Sequence, residues 1–118
     1  MSKGRILIVE DNQMNMTLMN DVLNHYNYET ICIDSGEEAI NIINNETFDL
    51  ILLDLQLPKI SGFDVLNNIK KDVKVIIVSA CAMENDVKKA LSQNCLDYIT
   101  KPIHIKDFIS RIEKYIKR

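Results

Sequence analysis

The stretch FDLILLDLQLP, residues 48–58, places a carboxylate where the chain otherwise reads as core. Phe48 to Leu53 are apolar except for Asp49, the composition of a buried strand, and Asp54 follows directly. Asp is depleted in strands and seldom buried without a partner, so Asp54 asks for a chemical explanation. Other polar groups stand at comparable places. Glu10 and Asp11 follow RILIV, Ser79 ends VKVIIVSA apart from one alanine, and Lys101 follows CLDYIT. In an open parallel sheet, functional groups gather at the carboxyl ends of the strands. Three carboxylates brought together there repel one another and rise in pKa. A hard divalent cation such as Mg²⁺ removes that penalty, because it takes carboxylate oxygens, backbone carbonyls and waters in an octahedral shell. Asp54 is then a nucleophile or ligand held rigidly beside a metal. Each residue has a plainer alternative when taken alone. Asp11 could cap a helix, Ser79 could be a loop hydroxyl, and Lys101 could be a solvated charge. Their joint occurrence at four strand ends outweighs those alternatives.

The elements that must position these groups alternate along the chain. RILIV (5–9), YETICI (28–33), FDLILL (48–53), VKVIIVSA (73–80) and CLDYIT (95–100) read as strands. Helices are predicted over 12–26, 35–45, 61–71, 84–94 and 104–118. Asn15, Leu18, Met19, Val22, Leu23 and Tyr26 share one face of the first helix. Ile105, Phe108, Ile109, Ile112 and Ile116 share one face of the last, which ends in a basic turn suited to the helix dipole. Ser35 with Glu38 three residues later predicts a capping box. Strict β/α alternation implies an α/β fold, a doubly wound parallel five-stranded sheet in (βα)5 arrangement with right-handed crossovers. The expected strand order is 2-1-3-4-5, flavodoxin-like.

The totals narrow the function classes. A chain of 118 residues is long enough to bury a substantial core, and residues 1–118 are read as one domain with no output domain. A hydrophobic share of 47% and a charged share of 26% fit a soluble globular protein. The net charge of −3, without blocks of like charge, argues against direct nucleic-acid binding. No apolar run approaches the ~18 residues of a membrane span, and the N-terminal apolar run stops at Glu10-Asp11, unlike a signal peptide. Cys32, Cys81 and Cys95 form no CxxC pair, so a reducing, cytoplasmic location is expected.

Four pieces taken together resemble the receiver domain of two-component response regulators, of the chemotaxis type. They are ILIVEDN (6–12), LILLDLQLPKISGFDVL (50–66), VIIVSA (75–80) and YITKP (98–102). They span almost the whole chain in the family's order. The spellings EDNQMN and DLQLP further resemble DivK-type single-domain regulators of phosphorelays and cell-cycle control.

The resemblance implies a role for each group. Asp54 is the expected phosphoacceptor, taking a phosphoryl group from a phosphohistidine of a histidine kinase or histidine phosphotransferase. Asp11 binds Mg²⁺ or Mn²⁺ directly, Glu10 partly through water, and Asp54 and the Gln56 main-chain carbonyl complete the protein ligands. Lys101 pairs with the phosphoryl oxygens and Ser79 hydrogen-bonds them. Pro58 and Gly62 shape the turn into the third helix, and the Lys101-Pro102 bond is expected to be cis. On phosphorylation Ser79 moves inward and Tyr98 turns from an exposed to an inward rotamer, reshaping the helix 4–strand 5–helix 5 face. Tyr98 as a plain packing residue is the competing reading. The expected behaviour is that of a switch rather than an enzyme acting on other substrates, monomeric or weakly dimeric, controlling a downstream protein. Met14 and Met16 either offer adaptable contact surface on helix one or widen its core stripe. Gln56 and Cys81 are expected to tune the phosphoryl lifetime.

Two departures from the pattern stand out. Ser79 replaces the frequent threonine, keeping the hydroxyl without the methyl. NNIKKDVKV, between helix three and strand four, is short for a receiver, which could truncate that helix. Other α/β readings fare worse. An aspartyl phosphohydrolase of the haloacid dehalogenase type requires an acid/base Asp where Gln56 stands. A flavodoxin-like nucleotide binder requires a phosphate-cradling loop where Glu10 and Asp11 stand. A receiver that works without phosphate would not retain all five polar groups.

Overall fold

A computed structural model describes residues 2–80, 83–93 and 95–116. Five strands, β1 (Arg5–Val9), β2 (Glu29–Ile33), β3 (Leu50–Leu53), β4 (Val75–Ser79) and β5 (Asp97–Thr100), form one parallel sheet in the order β2-β1-β3-β4-β5. Helices α1 (Gln13–His25), α2 (Gly36–Asn45), α3 (Gly62–Asn67), α4 (Glu84–Ser92) and α5 (Ile105–Tyr115) link and follow them. Order and alternation agree with the sequence reading. Among the described residues no helix is long and apolar enough to cross a membrane.

The strands divide their side chains between two cores because successive residues point to opposite faces. Ile6, Ile8, Leu50, Leu52, Ile76 and Val78 pack with Met19, Leu23, Phe108 and Ile112 on the α1/α5 side. Leu7, Val9, Ile51, Leu53, Val75 and Ile77 pack with Ala39, Ile43, Val65 and Ala90 on the α2/α3/α4 side. Burial on both faces is why these strands are almost continuously apolar rather than alternating.

Several local expectations need correction. In α1 the buried positions are Met16, Met19, Val22 and Leu23, whereas Leu18 is 42% exposed and Asn15 only half-buried. The true stripe is rotated by part of a turn, so Met16 belongs to the core and Met14 to the surface. Ile105 is 46% exposed because it opens α5, before the helix settles onto the sheet. Ser35 accepts from the Glu38 N–H at 3.2 Å, but the reciprocal capping box is seen at Ser61 and Asp64. Helix α3 ends at Asn67, short of the predicted 71. The chain beyond it is held instead by Asn44, whose side-chain amide donates to the Asn68 carbonyl (3.1 Å) and accepts from the Lys70 N–H (2.8 Å). The short connection into β4 thus costs α3 its last turns, as its length foreshadowed.

The loop from β3 to α3 is shaped by a close crossing. The Gly62 N–H donates to the Leu55 carbonyl at 2.9 Å. A Cβ on Gly62 would stand 2.4 Å from the Asp54 carbonyl oxygen and 2.7 Å from Leu55 Cα. Both obstacles are backbone, so no rotamer change relieves them. Gly62→Ala is therefore expected to lower unfolding stability by about 1–3 kcal/mol, as overpacking of a tight site does. Urea denaturation of the two proteins measures it.

Candidate functional site

The carboxyl ends of the strands meet in one acidic pocket. Register does the first part of the work. Val9 lies opposite Leu53, so the next residues, Glu10 and Asp54, emerge side by side from β1 and β3. The Asp54 N–H donates to the Val9 carbonyl and the Glu10 N–H to the Ile33 carbonyl, each at 3.0 Å, which extends the sheet by one residue beneath the pocket. On the other side Ser79 lies opposite Thr100, and the Lys101 N–H donates to the Ser79 carbonyl at 2.9 Å. The Lys101-Pro102 bond is cis, as expected.

Side chains close the arrangement. Lys101 Nζ hydrogen-bonds Asp54 Oδ2 at 2.8 Å and also Glu10 Oε1. Glu10 and Ser79 are fully buried and Asp54 is 4% exposed, whereas Asp11 is exposed at the rim. The Asp54 carboxylate accepts the Gln56 N–H on its other oxygen at 3.0 Å. The Glu10 carboxylate likewise accepts the Asn12 N–H at 3.1 Å. Both buried acids are thus aimed by a lysine on one oxygen and a backbone amide on the other.

Asn12 is the residue the sequence reading missed. Its side chain accepts from the Asn15 N–H at 3.0 Å and caps α1, the part Asp11 could have played. With Asn12 capping the helix, the Asp11 carboxylate is left to the pocket. The signal was an asparagine directly before a helical run, a strong capping type.

The electrostatics follow from burial. The Glu10 carboxyl lies above the ordinary 4.5, chiefly because burial disfavours its anion. Hydrogen bonds from Lys101 and Asn12 pull it down without cancelling that, and the Asp54 charge adds to the rise. Mutual repulsion is therefore secondary to desolvation as the cause. Burial also works against the Lys101 ammonium, but Asp54 and Glu10 together more than reverse it and raise its pKa. Lys101 stays charged, and Glu10 is the group whose charge is costly.

Glu10, Asp11 and Asp54 present one carboxylate oxygen each, all within 4.8 Å of one another. That spread is close to the ~4.2 Å between opposite ligands of an octahedral Mg²⁺ shell. All donors are hard oxygens, and one lysine leaves three carboxylates under-neutralised. The residues fit a hard divalent cation.

Comparison with known proteins bears on the same arrangement. The family model described as response regulator receiver domain matches residues 6–113. The chain belongs to the receiver family. It is 40% identical to the polar-differentiation response regulator DivK of Brucella ovis, over 94% of each chain. Among solved structures, it is similar to the CheY-like receiver domain protein of Methanospirillum hungatei JF-1, with TM-score 0.88 and 28% identity over 95% of this chain and 92% of that one. A further receiver domain, from a sensor histidine kinase of Pseudomonas aeruginosa PAO1, has TM-score 0.88 and 25% identity over 98% of both chains. That structure holds a magnesium ion coordinated in its active site cleft. This receiver thus joins a DivK-like sequence to the CheY-like, flavodoxin-type fold of two-component signalling.

Tyr98 differs from expectation. It is 9% exposed and lies in the same core cluster as Ile77 and Ala90, not on the surface. Cys81 lies outside the described residues.

The raised Glu10 pKa has a measurable sign. Its anion opposes folding above that pKa, and a cation removes the cost, so stabilisation by Mg²⁺ requires the deprotonated form. The Mg²⁺-induced rise in Tm should be full at neutral pH and shrink as pH falls, beginning above 4.5, the ordinary glutamate value. Thermal unfolding with and without Mg²⁺ across a pH series checks this.

Proposed function

We propose that this receiver is phosphorylated on Asp54 and hands the signal to other proteins through a change at its α4–β5–α5 face. The observation that carries the reading is the shared Lys101 contact. One buried ammonium touches Asp54 Oδ2 while the other Asp54 oxygen accepts a backbone N–H. These two contacts support a positioned Asp54 nucleophile, and the nearby Lys101 supports a role in neutralising charge on a phosphoryl group in transfer. The Asp54 oxygen attacks phosphorus of a phosphohistidine. A P–O bond forms as the P–N bond breaks, and the electron pair leaves with the imidazole nitrogen. Glu10, Asp11, Asp54 and the Gln56 carbonyl would hold Mg²⁺ or Mn²⁺. That ion supplies further positive charge to the phosphoryl oxygens.

After transfer, Lys101 exchanges its contact with the carboxylate for one with a phosphoryl oxygen, and the Ser79 hydroxyl turns to a second. Ser79, fully buried at the end of β4, carries the shift to the segment leading into α4. Tyr98, already buried, follows α4 rather than leading it. The donor is a histidine kinase or histidine phosphotransferase. The exposed side of α1, with Met14 at 82% and Leu18 at 42% exposure, supports docking there by a partner with an apolar helical surface. The output is a downstream protein, and residues 1–118 act as one receiver unit in the cytoplasm. The five β/α units packing into one sheet support the single-unit reading, and the free thiols of Cys32 and Cys95 support the compartment.

Incubation with acetyl phosphate and intact-mass measurement should give one phosphoryl adduct that requires both Mg²⁺ and Asp54. EDTA and Asp54→Asn should each abolish it, while Asp54→Asn keeps the fold. An adduct that survives on another residue would overturn the assignment. Lys101→Ala should retain Mg²⁺ binding, seen by calorimetry, yet lose the phosphorylation-dependent chemical-shift changes of α4 and β5 in NMR spectra.

A further inference from the structure

Helix α4 is the least anchored helix of the fold. Ala90 is its one buried residue, compared with Met16, Met19, Val22 and Leu23 in α1 and Phe108, Ile109 and Ile112 in α5. Its N-cap, Met83, makes no side-chain capping bond and is 68% exposed, and Leu91 is 47% exposed. Little apolar area therefore holds α4 down, and local opening of such an element is cheap.

One side-chain contact runs from this helix to the start of α3. Lys89 Nζ lies 4.2 Å from the centroid of the Phe63 ring, within cation–π range. Phe63 follows Gly62 directly, and Gly62 rests against the Asp54 carbonyl with no space for a Cβ. The ring sits on the second residue of α3, and the first, Gly62, packs against the backbone of the loop that Asp54 begins. A shift of that loop displaces the ring from under Lys89.

We propose that the Lys89–Phe63 contact is a latch that docks α4 against α3 and couples it to the Asp54 loop, favouring the unphosphorylated packing. This route is separate from the one through Ser79. It rests on the reading above that α4 changes place when Asp54 is phosphorylated. A weakly buried helix is sensitive to one such contact, because a small differential energy shifts a two-state population.

Hydrogen exchange of the unphosphorylated full chain tests the latch directly. Lys89→Met keeps the apolar stem and loses the charge, Lys89→Arg keeps a cation over the ring, and Phe63→Leu keeps an apolar residue without the ring. Lys89→Met and Phe63→Leu should each speed exchange of amides 85–92 by about 2–5-fold, the range a surface cation–π contact allows. The double variant should add little beyond either single one. Lys89→Arg should match the parent, and the α5 amides should not change. Unchanged α4 exchange in both single variants overturns the latch. Acetyl phosphate labelling of Lys89→Met should also quicken by a similar factor, because more of the population is already undocked. Faster exchange with unchanged labelling would keep the docking contact but overturn its bias on the switch. Failure of the parent itself to be labelled on Asp54 would be a failure of the phosphorylation reading instead.

Discussion

Two carboxylates in the interior, Glu10 and Asp54, share one ammonium, and the strand ends are arranged around that balance. Charges are rarely buried unless paired, because desolvation is expensive and a partner must offset it. Here Lys101 supplies the partner from β5, on the far side of β4 from Asp54. The pairing is incomplete by design of the composition, since Asp11 adds a third acid at the rim. The pocket therefore retains a demand for positive charge that Lys101 alone does not meet. The same deficit explains why the site suits a hard divalent ion.

That balance depends on sheet topology. Glu10 and Asp54 are 44 positions apart in the numbering but adjacent in space, because β1 and β3 pair in parallel with Val9 opposite Leu53. A one-residue slip would turn Asp54 to the opposite face and bury Leu53 in the pocket. The apolar residues of β1 and β3, divided between two cores, prevent the slip. Packing of these apolar residues thus sets the position of the chemistry.

Stability is unevenly distributed around this rigid centre. Helices α1 and α5 bury long stripes against one face, whereas α4 rests on the other face with Ala90 alone fully covered. A switch needs such asymmetry. An element held by a large core cannot exchange packings at the small free energy a single phosphoryl group supplies, and one held by few contacts can. The shortened α3 brings a related economy. Asn44 replaces helix with side-chain hydrogen bonds, leaving Phe63 near the start of a helix of only six residues.

Much of this protein could be read from its sequence. The alternation of β-branched runs with helical periods defined the α/β class and order of elements, because backbone period and burial leave strong marks on composition. Asp54 was conspicuous since a carboxylate after four consecutive apolar residues has no cheap structural use, and Glu10, Asp11, Ser79 and Lys101 stood at equivalent strand ends. Only the tertiary structure decided what depends on exact rotation and on distance through space. The α1 stripe runs through Met16 rather than Leu18, because the angle at which a helix meets a sheet is set by both surfaces. Tyr98 is buried within the core cluster on the α2/α3/α4 side, which its place at a strand end does not reveal. Asn12 caps α1 and orients Glu10, a division of labour with Asp11 that neighbouring residues of similar chemistry conceal. Lys89 over Phe63 joins positions whose proximity no local pattern encodes, since they lie on separate helices, α4 and α3.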